Sequence, residues 1–165
     1  LEMPVVCAVN GVAAGAGANL AFACDIVLAA RSASFIQAFC KLGLVPDSGG
    51  TWFLPRLVGP ARAAGLALLG DKVGAEQAEA WGLIWKAVDD AALMEAAAGL
   101  ARHLAAQPTR GLALTKRALV ESATNTLDQQ LDLERDLQRA AGRTRDYQEG
   151  VAAFTQKRTP VFEGR

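Results

Sequence analysis

The stretch "PVVCAVNGVAAGAGANLAFACDIVLAA", Pro4 to Ala30, constrains this chain more than any other. Pro4 to Val9 carries the β-branched valines of a buried strand, bounded by Pro4 and the turn signal Asn10-Gly11. Small residues then lead into a continuously apolar run. That run predicts a buried helix over 16–23, packed so closely that Ala and Gly are required. "DIVLAA" reads as the next strand and "ASFIQ" as another short one. Strand, glycine turn, buried helix and strand in that order specify an α/β layout.

On residues alone the glycine turn has three readings. A helix N-terminus offers unpaired N–H groups and a positive dipole end, which suits a phosphate or a developing oxyanion. The third reading is close packing with no ligand. A dinucleotide site needs G-x-G-x-x-G and an acid about twenty residues on. Here Gly15 and Gly17 lack a third glycine, and Asp25 precedes the next strand. A nucleotide-binding module is therefore disfavoured.

Composition narrows the partners. The 165 residues carry 17 basic and 17 acidic side chains, so no positive field points to nucleic acid or an anionic membrane. No apolar run reaches the roughly 18–20 residues of a membrane span, and a cytoplasmic location is expected. Cys7, Cys24 and Cys40 are scattered through apolar surroundings, which predicts small buried hydrophobes rather than disulfides or a zinc cluster. His103, the only histidine, sits on a solvated helix pattern. Ser–His or Cys–His nucleophile schemes have little to work with.

Further along, "TWFLPRLV" and "PARAAGLALLG" read as helices separated by Val58-Gly59-Pro60. "AEQAEAWG" predicts a short helix closed by Gly82, and "LIWKAVD" a strand. From about Ala92, four amphipathic helix patterns follow, with Leu127, Leu131, Leu133 and Leu137 on one apolar stripe. The expected organisation is a compact α/β part over 1–70 and a mainly helical part over 71–165. A strand pattern so close to the first residue also reads as the later part of a longer polypeptide.

"GLVPDSGGTW" holds one acid, Asp47, between an apolar run and a glycine pair. It either caps a helix beginning near Gly49 or moves a proton, and local residues leave both open. Burial among Leu44, Val45 and Pro46 is expected to raise its pKa, with the helix N-terminus opposing.

Taken together, "PVVCAVNGVAAGAGANLAFACDIVLAA", "LGLVPDSGGTWFLPRLVG", "LLGDKVGAEQAEAWGLI" and "EGVAAFTQKRTPVF" resemble the crotonase (enoyl-CoA hydratase/isomerase) family, in order from Pro4 to Phe162. The resemblance implies an α/β fold: the C-terminal part of a crotonase-like ββα spiral core, followed by a helical trimerisation region. It implies chemistry on an acyl-CoA thioester whose oxygen is held by two main-chain N–H groups. The N–H of Ala16, after Gly15, matches one donor. The other donor and much of the adenine pocket belong, in the family, to segments upstream of the strand that opens this chain.

The hydratase glutamates of the family match Asn19 and Phe39, and neither supplies a carboxyl group. Isomerases instead use an acid eight positions after the second site, which is Asp47. The resemblance thus implies an acyl-CoA isomerase, acting on a ring-epoxidised phenylacetyl-CoA in phenylacetate degradation and yielding an oxepin-type thioester. A double-bond shift in an ordinary enoyl-CoA, or a hydratase-like enzyme, is the alternative, and a non-catalytic truncated assembly subunit is the rival of another class. Gly15, Asn19, Phe39 and Leu44 are expected at the substrate. Lys157 and Phe154 are expected to reach the CoA of a neighbouring subunit in a homotrimer or hexamer. No metal or redox cofactor is implied, coenzyme A entering only with the substrate.

Overall fold

The computed structural model describes residues 1–165. They form two compact units, one of Val5–Gly99 and the other of Leu1–Pro4 together with Leu100–Arg165. The break falls after Gly99, later than the expected division near residue 70. The cause is strand pairing: two short strands beyond residue 70 complete the sheets begun before it.

The first unit opens with β1 (Val6–Val9), β2 (Val12–Ala14), α1 (Ala16–Phe22), β3 (Ile26–Ala30) and β4 (Ser34–Ile36). A short 3-10 helix, Ala38–Leu42, then leads through a loop to α2 (Gly50–Leu69). After α2 come β5 (Lys72–Gly74), α3 (Ala75–Ala80) and β6 (Lys86–Val88). One sheet has the order β1-β3-β6, all parallel, and the other the order β2-β4-β5, with β5 antiparallel. The first four strands alternate between the two sheets; after α2 the chain returns to the second sheet as β5, and after α3 to the first as β6. This is the expected ββα spiral. Parallel neighbours require a crossover, and α1 supplies the one from the first strand pair to the second.

The core of this unit lies between sheets and helices. Val27, Leu28, Ala29 and Ala30 of β3 are all buried, as a central parallel strand covered on both faces requires. Phe22 of α1 and Phe35 of β4 meet with ring centroids 5.2 Å apart. α2 breaks at Gly59 (φ 77°), immediately before Pro60, where the sequence separates two helical segments. The three cysteines are free and half-buried rather than fully buried. Burial, with the neighbouring Cys24, pushes the Cys7 thiol up to about 11, so it stays protonated at neutral pH.

In the second unit, α4 (Leu93–Ala105) enters from the first, and α5 (Thr109–Ser122), α6 (Leu127–Ala141) and α7 (Arg145–Gln156) follow. Thr126 and Gln129 form a reciprocal capping box at the start of α6. Of the predicted leucine stripe only Leu137 is buried, while Leu127 and Leu131 face outward. The C-terminal segment is tied back to α7. Buried Asp146 accepts the N–H groups of Glu163 and Gly164 at 2.7 and 2.9 Å. Arg158 donates two bonds to Glu149, at 2.6 and 2.7 Å, and the Val161 N–H a third. No helix is long and apolar enough to cross a membrane.

Arg158, aided by the Val161 N–H, lowers the Glu149 carboxyl from 4.5 to about 2. A depressed folded-state value means that the contribution of this tie is complete above pH 4.5 and is lost as the pH falls toward 2. Carboxyl-carbon NMR of the folded protein is expected to give Glu149 a midpoint near 2. An ordinary glutamate midpoint would contradict the tie.

Candidate active site

The turn between β2 and α1 is shaped by one glycine. Gly15 takes φ 54° and ψ −122°, a conformation that side chains rarely adopt, and its N–H bonds to the Ile36 carbonyl at 2.9 Å. The Phe39 ring covers the vacant side: a Cβ at position 15 would lie 3.4 Å from the ring. The chain then enters α1 at Ala16, whose N–H has no main-chain acceptor. An unpaired N–H at a helix start attracts negative charge.

One helical turn further on, Asn19 is fully buried. Its Nδ2 donates to the carbonyl of Asp47 at 2.9 Å, and its Oδ1 accepts from Gln37 Nε2 at 2.8 Å. The orientation follows from chemistry. A carbonyl only accepts, so Asn19 must present its NH2 to Asp47 and its oxygen to Gln37. Gln37 is buried as well, and its Oε1 has no partner in the chain.

Asp47 itself opens a tight turn. Its carbonyl also accepts the Gly50 N–H at 2.8 Å, and the two residues between, Ser48 and Gly49, both have positive φ (48° and 81°). Positive φ at both central positions is the signature of a type I′ turn. Gly50 starts α2 directly beneath Asn19, where a Cβ would stand 2.3 Å from Nδ2. The capping alternative for Asp47 is not realised. α2 begins without a side-chain cap, and Asp47 engages through its main chain.

The Asp47 carboxylate is therefore left for other work. It is exposed, as are Leu44 and Val45, so these neighbours do not bury it as expected. Leu42, Leu44 and Val45 form an apolar rim along the same loop. The structure links Gly15 to the Phe39 ring by packing and Asn19 to the Asp47 carbonyl by a hydrogen bond, with Ala16 and Asn19 on the same short helix. Asn19 acts as a strut, with both ends of its amide engaged. Lys157 and Phe154 lie in the helical unit, at the end of α7. Lys157 closes that helix in the left-handed conformation (φ 54°), and the Phe154 ring is 87% exposed. Sequence reasoning missed Gln37 and Gly50. A lone amide in the apolar run "SFIQAF" and the second glycine of a pair were the only signals available.

An N–H at a helix start can donate to an oxygen that gains negative charge, and a carboxylate can take up and return a proton. The chain matches the enoyl-CoA hydratase/isomerase family model over residues 1–165. It is 65% identical to 1,2-epoxyphenylacetyl-CoA isomerase of Escherichia coli K12 over 165 residues, covering 100% of this chain and 63% of that protein. It is 40% identical to 2,3-dehydroadipyl-CoA hydratase of the same organism, over 98% of this chain and 64% of that one. Among solved structures, an enoyl-CoA hydratase from Bacillus anthracis superposes with a TM-score of 0.96 at 36% identity, covering 100% of this chain and 64% of that one. The chain spans a little under two thirds of the length of these relatives.

Gly15→Ala would force a side chain into a backbone conformation that favours glycine, against the Phe39 ring. A loss of about 1–3 kcal/mol is expected in urea unfolding, since a strained φ/ψ costs that much. An unchanged midpoint would show that the turn relaxes freely.

Proposed function

The chain belongs to the enoyl-CoA hydratase/isomerase family, and from that premise we propose that it carries the acid/base half of an acyl-CoA isomerase. Asp47 takes a proton from the carbon next to the thioester. The negative charge that develops on the thioester oxygen is held by the Ala16 N–H. The same carboxyl then returns the proton to another carbon of the conjugated system, so that the product is an isomer of the substrate. The preferred substrate is a ring-1,2-epoxide of phenylacetyl-CoA, opened to an oxepin-type thioester. The likeness to the E. coli isomerase supports that choice of acyl group.

One observation carries the reading against water addition. Of the three side chains that line up with acids in the family, only Asp47 is a carboxylate. Asn19 and Phe39 are consumed by packing: one braces the Asp47 turn, and the other lies on Gly15. Neither can activate a water as a carboxylate does. The apolar rim of Leu42, Leu44 and Val45 offers a surface for the acyl group. In the helical unit, exposed Leu127, Leu131, Tyr147, Val151 and Phe154 support assembly with further copies, with Lys157 available for a CoA phosphate.

The test is Asp47→Asn in the natural gene product that contains these residues. It would be assayed on the phenylacetyl-CoA epoxide and on a 3-enoyl-CoA. General acid/base catalysis contributes about 10²–10⁴-fold, so kcat is expected to fall at least about 100-fold on the epoxide. A fall within about tenfold, or about 1.4 kcal/mol, would falsify the role. Higher kcat/KM on the 3-enoyl-CoA would keep the proton shuttle and change the substrate.

A further inference from the structure

We propose that Asn19 is a positioning residue, whose side-chain amide sets the place of the Asp47 carboxylate by holding the Asp47 peptide. This rests on the reading of Asp47 as the group that moves the proton.

Three features converge on that peptide. First, its carbonyl accepts two donors, the Gly50 N–H at 2.8 Å from within the turn and Asn19 Nδ2 at 2.9 Å from α1. Both lone pairs of the oxygen are thereby used. The Asn19 bond is the one that ties the turn to another element. Second, the turn is not self-sufficient. Ser48 is held at φ 48°, where a non-glycine residue is uncommon, and residues 41–45 and 47–49 are exposed. Third, room for the amide is reserved. A Cβ at Gly50 would stand 2.3, 2.7 and 2.8 Å from Nδ2, Cγ and Oδ1 of Asn19. Gln37 Nε2 at 2.8 Å on Oδ1 stops the amide from turning over.

Asn19 and Ala16 sit on the same short helix, three residues apart, a rise of roughly 4.5 Å. The element that presents the oxyanion donor therefore also anchors the acid. Placement of the carboxylate is referred to α1 and not to the exposed loop. A misplacement of about 1 Å can cost about 10²-fold in rate. A carboxylate at position 19 would set an acceptor against an acceptor and release the turn. On this geometry a glutamate there, as in the hydratases of the family, is incompatible with this anchoring of Asp47.

The experiment compares Asn19→Asp, Asn19→Leu, Gly50→Ala and Asp47→Asn in the natural gene product. It records kcat and KM for isomerisation of the phenylacetyl-CoA epoxide, with the folded fraction from near-ultraviolet circular dichroism. Each variant at position 19 or 50 is expected to lose about 100-fold in kcat per folded molecule, with KM within about threefold. Asn19→Leu removes the donor without burying a charge, and Gly50→Ala leaves Asn19 intact, so the result does not hang on one substitution. A kcat within threefold in the position-19 variants, with Asp47→Asn inactive, overturns the positioning role and leaves the acid/base reading standing. A loss that falls in KM makes Asn19 a binding group and also overturns it. A loss that merely tracks the unfolded fraction, or variants that do not fold at all, makes Asn19 structural and overturns it too. An active Asp47→Asn removes the reading on which the inference rests.

Discussion

A seven-residue helix does not hold together in water, because so few hydrogen bonds cannot offset the entropy of nucleation. α1 exists because it is buried. Ala18, Ala21 and Phe22 pack into the core formed by both sheets and α2, and the small side chains allow close approach. The remaining architecture follows from that burial. The chain must enter the helix through a turn tight enough to require Gly15, and it must leave at Ala23 toward the central strand. One face of the helix is buried and the other open: Gly17 and Leu20 are exposed. A Cβ at Gly17 would meet nothing within 4 Å, so the expected close packing holds for the alanines and not for this glycine.

Burial also explains why an amide at position 19 is so consequential. An unsatisfied polar group inside a protein costs about 1–3 kcal/mol, so Asn19 must find partners on every approach the packing allows. The partners it finds are Gln37, at the end of β4, and the carbonyl of Asp47. One buried side chain thereby connects three segments that are remote in sequence: the helix tip, the strand end and the turn before α2. Asp47 is exposed, while its carbonyl is bonded to Asn19 Nδ2 and to the Gly50 N–H.

The helical unit is organised by a different balance. α6 carries alternating charges and several surface ion pairs, contacts of little individual worth at exposed positions. Definition comes from caps and from the C-terminal tie. Thr126 and Thr144 close helix starts, and Asp146 and Glu149 gather the last residues onto α7. The outward leucines and aromatics of α6 and α7 are unusual for a solvated helix face.

Much was legible in the residues alone, for local reasons. Valines between Pro4 and Asn10-Gly11 marked β1, Gly59-Pro60 marked the break in α2, and leucine and alanine spacing marked the last four helices. The motif likeness led to Ala16 and Asp47. Other features carried no local signal. β2 and β5 are three residues long, too short for alternation to show, and they exist only because β4 offers both of its edges. The expected mainly helical part includes residues 71–99, although "LIWKAVD" reads as a strand, and β5 and β6 return them to the sheets. Asp47 looked like a helix cap, and the tight turn at Ser48-Gly49 carries its side chain away from that duty. Asn19 looked like a substrate contact. Sequence by itself determined which segments are apolar and where the chain must turn, because those depend on side-chain type and short-range backbone preference. Only the tertiary structure decided what Asn19, Gln37 and Gly50 do, because a buried donor's partner is chosen by which distant segments pack together.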